Sequence, residues 1–356
     1  MYLIATGGGT GGHVFPAIEV ARIAQEQGCE VEYFGSLRGI EGKVSQSYGL
    51  PFQGFDAQPI YNLKSPGGLR TALLLVRSSG KVMKRFRERR PDAVLSTGGY
   101  SSGPIISAAK RLGIPYVIHE ANSVPGRSNS LFMSHAYKVA YSFKKTELSL
   151  KSFPSVRTGH PIRRELRALA DAPQGERTRL LIAGGSQGAT ALNQVAPDLL
   201  GQVGTLDILH ICGSSNYDSV RERLGKVEPP NYRLTGFLEP DQLGIEMAKA
   251  KVFVGRSGSM LAEIAAFRIP SVLVPLPNSA LNHQYFNAME FAQMGAASLI
   301  EQQNLDAFNL ATAVQLWYES PDRTTRAMQA LADWDRPQAA KHLAEIWMEA
   351  AASKNG

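Results

Sequence analysis

Short apolar runs alternate with longer stretches of helical periodicity along the chain of 356 residues. The runs have the length of buried strands, and the stretches between them carry apolar residues on one side. This alternation predicts an α/β protein with parallel sheets. The predicted strands form two series, Tyr2–Ala5, Val31–Phe34, Ala93–Ser96, Tyr116–Ile118 and Lys138–Ala140, then Arg179–Ala183, Leu206–Ile211, Tyr232–Leu234, Val252–Val254 and Ser271–Val274.

Turn and linker residues separate the two series. "FPSVRTGHPIRRE" and "DAPQGERT" contain the prolines and glycines that are typical of such connections, and the pattern from Asp306 onward is helical. A chain of this length favours about two domains. We predict an N-terminal domain over 1–160 and a C-terminal domain over 161–335. A C-terminal helix over 336–356 follows, which can pack back on the N-terminal domain.

Each series opens with a strand that runs into a glycine-rich loop, "LIATGGGTGGH" and "LLIAGGSQGATALNQ". Gly7 to Gly12 can be read as G-x-G-x-x-G, but an NAD site also requires an acidic residue at the end of the second strand. That strand ends in Gly35 and Ser36, which argues against NAD. Glycine loops at helix N-termini suit any phosphate. The repeat therefore predicts two Rossmann-like domains that face each other across a cleft, with two phosphate sites.

The charge of the chain points to an anionic partner. The net charge is +7, and the segment Leu69–Arg90 carries eight Lys or Arg residues against one acid, Glu88, among apolar residues. This segment predicts either a contact with an anionic membrane surface or an ordinary amphipathic helix with solvated charges. No apolar run reaches the roughly 18 residues of a spanning helix. Cys29 and Cys212 lie in or beside apolar patterns and are expected to be reduced.

Seven motifs occur in a fixed order along the chain: "GGTGGHVFPA", "GGYSSGP", "HEANSVPG", "GHPIR", "GGSQGA", "RSGSMLAEIAAF" and "NHQYFNA". In this set and order, from Leu3 to about Ala297, the chain resembles the MurG family. The resemblance implies a GT-B fold and an inverting, metal-independent transfer of N-acetylglucosamine from UDP-GlcNAc without a cofactor. The acceptor would be the 4-hydroxyl of undecaprenyl-diphospho-N-acetylmuramoyl-pentapeptide (lipid I), which becomes lipid II in peptidoglycan synthesis.

The resemblance also implies where such an enzyme works. Its partners would be UDP-GlcNAc, lipid I and the anionic inner-leaflet surface through Leu69–Arg90, with no nucleic acid. It would be a peripheral protein on the cytoplasmic face of the plasma (inner) membrane.

By resemblance, a set of residues binds the donor. Ser186, Arg163 and Asn122 would contact UDP-GlcNAc. The backbone of Leu238 would lie against uracil, Glu263 would accept from the ribose hydroxyls, and Gln284 would lie near the sugar hydroxyls. The full donor set is Thr10, Gly11, Gly12, Asn122, Arg163, Ser186, Leu238, Ser259, Met260, Leu261, Ala262, Glu263 and Gln284. The acceptor diphosphate is expected at Gly9, Gly99, Tyr100 and Ser101.

Two side chains are candidates for the general base. His13 follows the first glycine loop at a helix start, where the helix dipole favours the neutral imidazole that a base requires. The alternative for His13 is a role in capping the helix or positioning the acceptor. Glu120 is the rival base, and its alternative is a strand-end carboxylate that holds backbone amides.

Three features depart from the expected patterns. Gly258 and Glu263 are five residues apart, where the family usually has six, and His283 replaces the first Gln of a Q-Q pair. Asp333 and Asp335 form a D-x-D, which we interpret as a helix cap rather than a metal site. The alternative functions are another GT-B enzyme, such as a diacylglycerol glycosyltransferase or a UDP-GlcNAc 2-epimerase, and a non-catalytic nucleotide-sugar-binding subunit.

Overall fold

The protein is described by a computed structural model that covers residues 1–58, 66–185, 188–204, 206–225 and 229–353, with backbone alone over 66–72. The chain divides into two compact units. The first unit comprises Met1–Arg163 together with Gln338–Gly356, and the second comprises Arg164–Pro337. Each unit is built on one sheet in which every described pair of strands is parallel.

The first unit contains a seven-stranded sheet in the order β3-β2-β1-β4-β5-β6-β7. The central strands are apolar on both faces, as expected for a parallel sheet that helices cover on both sides. The strands are β1 (Tyr2–Thr6), β2 (Glu30–Ser36), β3 (Phe52–Phe55), β4 (Ala93–Ser96), β5 (Tyr116–Glu120), β6 (Lys138–Tyr141) and β7 (Ser155–Arg157).

Two helical layers cover this sheet. One core cluster joins the sheet to helices α1 and α14, and a second joins its other face to α3 and α4. The last helix of the chain thus belongs to the first unit, where the side chain of Trp347 is fully buried. The helices are α1 (Gly11–Glu26), α2 (Glu41–Ser47), α3 (Pro66–Glu88), α4 (Gly103–Arg111), α5 (Arg127–Ser130) and α14 (Ala339–Ala352).

The second unit contains a six-stranded sheet in the order β10-β9-β8-β11-β12-β13. Its strands are β8 (Arg179–Ala183), β9 (Ile208–Ile211), β10 (Tyr232–Thr235), β11 (Ala250–Gly255), β12 (Ser271–Leu273) and β13 (Ala297–Leu299). Its helices are α6 (Arg164–Asp171), α7 (Thr190–Val195), α8 (Tyr217–Leu224), α9 (Pro240–Lys249), α10 (Met260–Ala266), α11 (His283–Gln293), α12 (Ala307–Tyr318) and α13 (Pro321–Trp334).

Both sheets reverse their strand order at the same point of the pattern. The first strand of each unit lies between the second and the fourth, so the connections diverge between β1 and β4 and between β8 and β11. In open α/β sheets, ligands bind at the carboxyl ends of the strands beside such a switch point. The glycine loop of each unit follows the first of these two strands.

All ten predicted strands are present, and three further strands are not in the prediction. These three are β3, β7 and β13, and each lies at the edge of a sheet. Strand β7 lies inside "FPSVRTGHPIRRE", a segment that the sequence analysis interprets as turn and linker residues and for which it predicts no strand. Edge strands are short and partly solvated, and their apolar pattern is therefore weak.

Candidate active site

The glycine loop of the first unit is held against the loop that follows β4. The N–H of Gly8 donates to the carbonyl of Gly98 at 3.1 Å, and the Thr97 hydroxyl donates to the carbonyl of His13 at 2.6 Å. Gly99 has φ of +86°, and a Cβ atom there would overlap the carbonyl of Gly8. The two loops can approach this closely only with glycine at this position.

His13 is the third residue of α1, and one ring nitrogen has a defined partner. Its Nδ1 lies 2.8 Å from the carbonyl oxygen of Thr97. A carbonyl can only accept, so Nδ1 carries the proton and the lone pair of the neutral ring is on Nε2. The ring is half-buried at the positive end of a 16-residue helix, which disfavours the imidazolium ion. His13 therefore has the tautomer and the setting of a general base.

Two further histidines that the sequence prediction did not include lie near His13. The rings of His119 and His160 are 5.4 Å apart, and both side chains are buried. Burial lowers the pKa of His119 to about 4, and burial also lowers the pKa of His160 well below its usual range. The charge that His13 would carry lowers both pKa values further. Burial therefore favours the neutral form of both imidazoles.

Glu120 ends β5 and has an exposed fraction of 1%. Its Oε1 accepts from the N–H of Asn122 at 2.9 Å, and its Oε2 accepts from the N–H of Gly126 at 2.9 Å and from Nδ2 of Asn129 at 2.8 Å. Nδ2 of Asn122 also donates to Oε1 at 3.2 Å. Both carboxylate oxygens thus hold the loop after β5, and this loop positions the Asn122 side chain.

The residues predicted for the acceptor diphosphate do not all present polar groups outward. The N–H of Gly9 donates to Oε1 of Glu41 at 3.1 Å, on the inner side of the loop. The Ser101 side chain is fully buried, and its hydroxyl has no hydrogen-bond partner among the described residues. Gly99 and Tyr100 are half-buried, and the Tyr100 ring packs against Gly9. Gly9 and Ser101 therefore shape the loop from within.

Three more predicted donor residues of the first unit lie at the start of α1. Thr10 is the exposed residue before the helix, and Gly11 and Gly12 form its half-buried first positions. The guanidinium of Arg163 lies 4.8 Å from the centre of the Phe15 ring of the same helix. A cation at this distance from an aromatic face is held in orientation by the ring.

The second glycine loop packs against a different set of groups. Gly188 has φ of +76°, its N–H donates to the carbonyl of Gly185 at 2.9 Å, and a Cβ atom there would overlap the carbonyl of Cys212. Cys212 is itself buried as a free thiol. Ser186, the predicted diphosphate contact, lies outside the described residues.

The turn after β11 is fixed to helix α11. The Ser257 hydroxyl donates to the carbonyl of Gln284 at 2.7 Å, and Nδ2 of Asn287 donates to the carbonyl of Ser257 at 3.0 Å. Oε1 of Gln284 accepts from the N–H of Leu276 at 2.9 Å, which leaves the amide nitrogen as the donor for a ligand. This network brings the predicted residues Gln284 and Ser259 into neighbouring segments.

Helix α10 starts at Met260 and contains four of the predicted donor residues. Leu261 and Ala262 point into the core, so only their backbone can reach a ligand, whereas Met260 and Glu263 are half-buried. Ser259 is the exposed residue before this helix. The Glu263 carboxylate thus lies in the first turn of α10, even with the five-residue spacing from Gly258.

The sequence prediction also missed a strained loop before α11. Asn278, Leu281 and Asn282 all have positive φ, at 61°, 55° and 54°. Left-handed backbone at non-glycine residues is costly and concentrates at functional sites. This loop joins β12 to Gln284. The half-buried Arg256 donates hydrogen bonds to the carbonyls of Val274 and Pro275, at the start of this connection, at 2.9 and 3.1 Å.

Leu238 lies between β10 and α9 and is half-buried, and the preceding Phe237 is 52% exposed.

Asp335 forms a bidentate pair with Arg167 at 2.7 and 2.8 Å, and Asp333 accepts from Gln329 at 2.9 Å. The two aspartates of the D-x-D thus have separate partners. In the part of the chain that the structure describes, no group of three or more His, Cys, Asp or Glu side chains is placed to hold a metal ion.

Helix α3 combines a core helix with an exposed surface. Its buried residues Val82 and Phe86 pack in the core, whereas Leu73 and Val76 are 52% and 55% exposed. Lys81, Lys84 and Arg87 are also exposed. Beyond the helix, Arg89 pairs with Glu30 at 2.6 Å and Arg90 donates to the carbonyl of Leu112 at 2.8 Å, so these two cations are bound to their own unit. None of the described helices is both long and apolar enough to cross a membrane.

Comparisons with known proteins match both units. The glycosyltransferase family 28 N-terminal domain matches residues 3–141, and the glycosyltransferase family 28 C-terminal domain matches residues 179–343. A UDP-N-acetylglucosamine–N-acetylmuramyl-(pentapeptide) pyrophosphoryl-undecaprenol N-acetylglucosamine transferase of Lactococcus lactis subsp. cremoris is 32% identical over 98% of this chain and 99% of its own. The protein of the same name from Syntrophotalea carbinolica is 34% identical over 88% and 89%.

Among solved structures, MurG of Acinetobacter baumannii is 28% identical and superimposes with a TM-score of 0.77, covering 98% of this chain and 99% of that one. The predicted GT-B fold class is therefore confirmed, and so is the resemblance on which it rested. With two parallel Rossmann-like sheets, both family 28 domains and near full-length relatives, the chain belongs to the MurG family of N-acetylglucosaminyltransferases.

Proposed function

We propose that this protein transfers N-acetylglucosamine from UDP-GlcNAc to the 4-hydroxyl of lipid I, with inversion at the anomeric carbon, to give lipid II and UDP. The observation that carries the chemistry is the hydrogen bond from His13 to Thr97, in a chain similar to such transferases over nearly its whole length. This bond leaves the lone pair of the neutral imidazole on Nε2.

In the proposed mechanism, His13 is the general base. Nε2 takes the proton from the 4-hydroxyl as that oxygen attacks C1 of the donor sugar, and the bond from C1 to the UDP oxygen breaks. The imidazolium then returns its proton to solvent. Glu120 positions Asn122, because four hydrogen bonds already occupy its carboxylate.

The leaving UDP requires stabilisation as negative charge develops on its β-phosphate. Backbone N–H groups of the second glycine loop, the Ser186 hydroxyl and the Arg163 guanidinium supply this without a metal. We assign Glu263 to the ribose hydroxyls, the backbone of Leu238 to uracil and the Gln284 amide nitrogen to a sugar hydroxyl. The strained loop at 278–282 presents Gln284, which is consistent with a site that requires a defined geometry.

The acceptor is attached to a lipid, so the enzyme has to work at a membrane surface. We assign this contact to the exposed part of α3, where Leu73 and Val76 can enter the headgroup region beside Lys81, Lys84 and Arg87. We infer that the protein is a peripheral enzyme at the cytoplasmic face of the plasma membrane. The structure adds one refinement to the segment Leu69–Arg90, because Arg89 and Arg90 have partners in their own unit.

The decisive experiment is transfer of radiolabelled N-acetylglucosamine from UDP-GlcNAc to a short-chain lipid I analogue. We expect one labelled product, with β stereochemistry, that forms at the same rate in EDTA. Diacylglycerol as the acceptor, and UDP-GlcNAc without any acceptor, test the alternative functions. Product from diacylglycerol, or epimerised UDP-sugar in the absence of acceptor, would overturn the proposal, as would UDP-GlcNAc binding with no turnover on lipid I.

A further inference from the structure

A buried acid lies directly beneath the first glycine loop. Glu41 is the first residue of α2, its exposed fraction is 0%, and its Oε1 accepts the N–H of Gly9 at 3.1 Å. A Cβ atom at Gly8 would overlap Oε1, and a Cβ atom at Gly39 would overlap Oε2. Two glycines, one on each side, therefore make the room that the carboxylate occupies.

This arrangement lowers the stability of the folded state. Oε2 of Glu41 is buried without a hydrogen-bond partner among the described residues, although a carboxylate can accept several hydrogen bonds. A buried polar side chain with an unpartnered oxygen destabilises the folded state relative to an apolar side chain of the same size. Packing therefore does not explain an acid at this position, whereas the contact with the loop does.

The loop that Glu41 holds leads directly to His13. Gly9 has φ of +87° and precedes Thr10, the N-cap residue of α1, and the N–H of His13 donates to the carbonyl of Thr10 at 3.1 Å. A shift of the loop at Gly9 thus moves the first turn of α1 and the imidazole. We propose that Glu41 is a positioning residue, whose carboxylate sets this loop and thereby His13. This inference rests on the proposed function, in which His13 is the base.

Three variants distinguish the hydrogen bond between Glu41 and Gly9 from the charge of the Glu41 side chain. Glu41→Gln keeps an oxygen that can accept from Gly9, so kcat should stay within about threefold of the wild type. Glu41→Ala removes the contact, and kcat should fall by about ten- to a hundredfold, the loss typical of a misplaced catalytic group. Gly39→Ala keeps Glu41 but displaces its carboxylate, because the three nearest atoms to the new methyl group all belong to that carboxylate. It should behave like Glu41→Ala.

A second measurement is independent of turnover. Hydrogen exchange at the amides of residues 9–13 should be about tenfold faster in Glu41→Ala and Gly39→Ala, and unchanged in Glu41→Gln. Hydrogen exchange of the β4 and β5 amides should be the same in all three variants, which shows that the first unit folds. Glu19→Gln is the matched control, because Glu19 is another buried acid of this unit, paired with Arg22 at 3.2 Å. Its turnover and exchange should match the wild type.

The outcomes distinguish this inference from the proposed function. Normal turnover and normal exchange in Glu41→Ala would overturn the inference alone, and so would a Glu41→Gln variant as impaired as Glu41→Ala. If the wild type does not glycosylate lipid I, the proposed function fails. Hydrogen exchange then still decides whether Glu41 holds the loop. If the β4 and β5 amides of Gly39→Ala exchange without protection, so that its first unit does not fold, the two Glu41 variants decide the question.

Discussion

The two glycine loops begin alike in sequence and are held in different ways. In addition to the backbone contact between Gly8 and Gly98, the side chains of Glu41, Ser101 and Tyr100 pack against the glycines of the first loop. In the second loop, Gly188 lies against the carbonyl of Cys212 and the side-chain amide of Asn216, and no acid is among the nearest atoms of the described glycines. The first loop leads into helix α1 and the proposed base His13, whereas the second loop is the proposed contact for the diphosphate of the donor.

The overall charges of the two units run opposite to this local difference. The first unit has 23 Lys and Arg residues against 12 Asp and Glu, a formal charge of +11, and the second has 15 against 19, a formal charge of −4. The unit with the acid beneath its glycine loop is therefore the basic one. The net charge of each unit supports the proposed contact of the first unit with an anionic surface, but it does not predict which loop binds the nucleotide.

The largest expected effect tests the division of labour between the loops. His13→Ala should lower kcat on lipid I by about a hundredfold or more, because the base is lost, while UDP affinity stays unchanged. Glu263→Ala should instead weaken UDP binding by about 1.5–3 kcal/mol, because a charge-assisted hydrogen bond is lost. Steady-state kinetics and calorimetry with UDP measure the two quantities.

The control for His13 is His135→Ala, which removes an exposed imidazole of the same unit and should leave both quantities unchanged. Weaker UDP binding in His13→Ala, or normal UDP binding in Glu263→Ala, would break the division between an acceptor loop and a donor loop.

The next effect concerns the charge difference between the units. A triple variant, in which Lys81, Lys84 and Arg87 are changed to Glu, should bind phosphatidylglycerol vesicles with about a hundredfold lower affinity in a sedimentation assay. Each basic residue near such a surface contributes about 1 kcal/mol to binding. Wild-type binding should also weaken as salt is added. The matched control changes Arg223, Lys249 and Arg326 of the second unit to Glu, which alters the net charge equally.

If the membrane contact lies on α3, the control variant sediments like the wild type and both variants keep full activity on a water-soluble acceptor. Equal losses in the two triple variants would mean that net charge alone, and not the surface of α3, drives the binding.

The smallest expected effect is the pH dependence of stability that a buried histidine produces in each unit. Burial lowers the pKa of His210 to about 4, as it does for His119. The unfolded chain takes up this proton below about pH 6.5, so each folded unit loses stability as the pH falls from 6.5 towards 4. For His210 the loss between pH 7.5 and 5.5 should be roughly 1 kcal/mol.

Hydrogen exchange of the β9 and β10 amides at the two pH values measures this loss in the second unit. His210→Asn should reduce the pH dependence there and leave that of the first unit unchanged. His210 is a suitable probe because its ring nitrogens contact the Tyr232 hydroxyl at 2.7 Å and Oδ1 of Asn193 at 3.0 Å, and neither partner is a predicted site residue. An unchanged pH dependence in this variant would exclude His210 as the titrating group.

Much of the candidate site could be predicted from motifs, because glycine loops and strand ends have local signatures. The positions of His13 and Glu120 follow from the strands that precede them, and the structure finds both at strand or helix ends. Their roles could not be predicted in the same way. The partner of His13 belongs to the loop after β4 and is 84 residues away in the chain, so only folding brings the two together. The four hydrogen bonds to Glu120 come from the loop that directly follows β5, and they depend on how that loop folds back on the strand end.

By itself, the sequence determined the fold class, the ten main strands and the family, because apolar periodicity and ordered motifs are properties of short segments. Only the tertiary structure showed that Glu41 lies beneath Gly9, that Ser101 points inward and that β3, β7 and β13 complete the sheets. These facts depend on packing between residues far apart in the chain. Contacts of that kind leave no periodic signal, because each is formed by one pair of residues and repeated nowhere else.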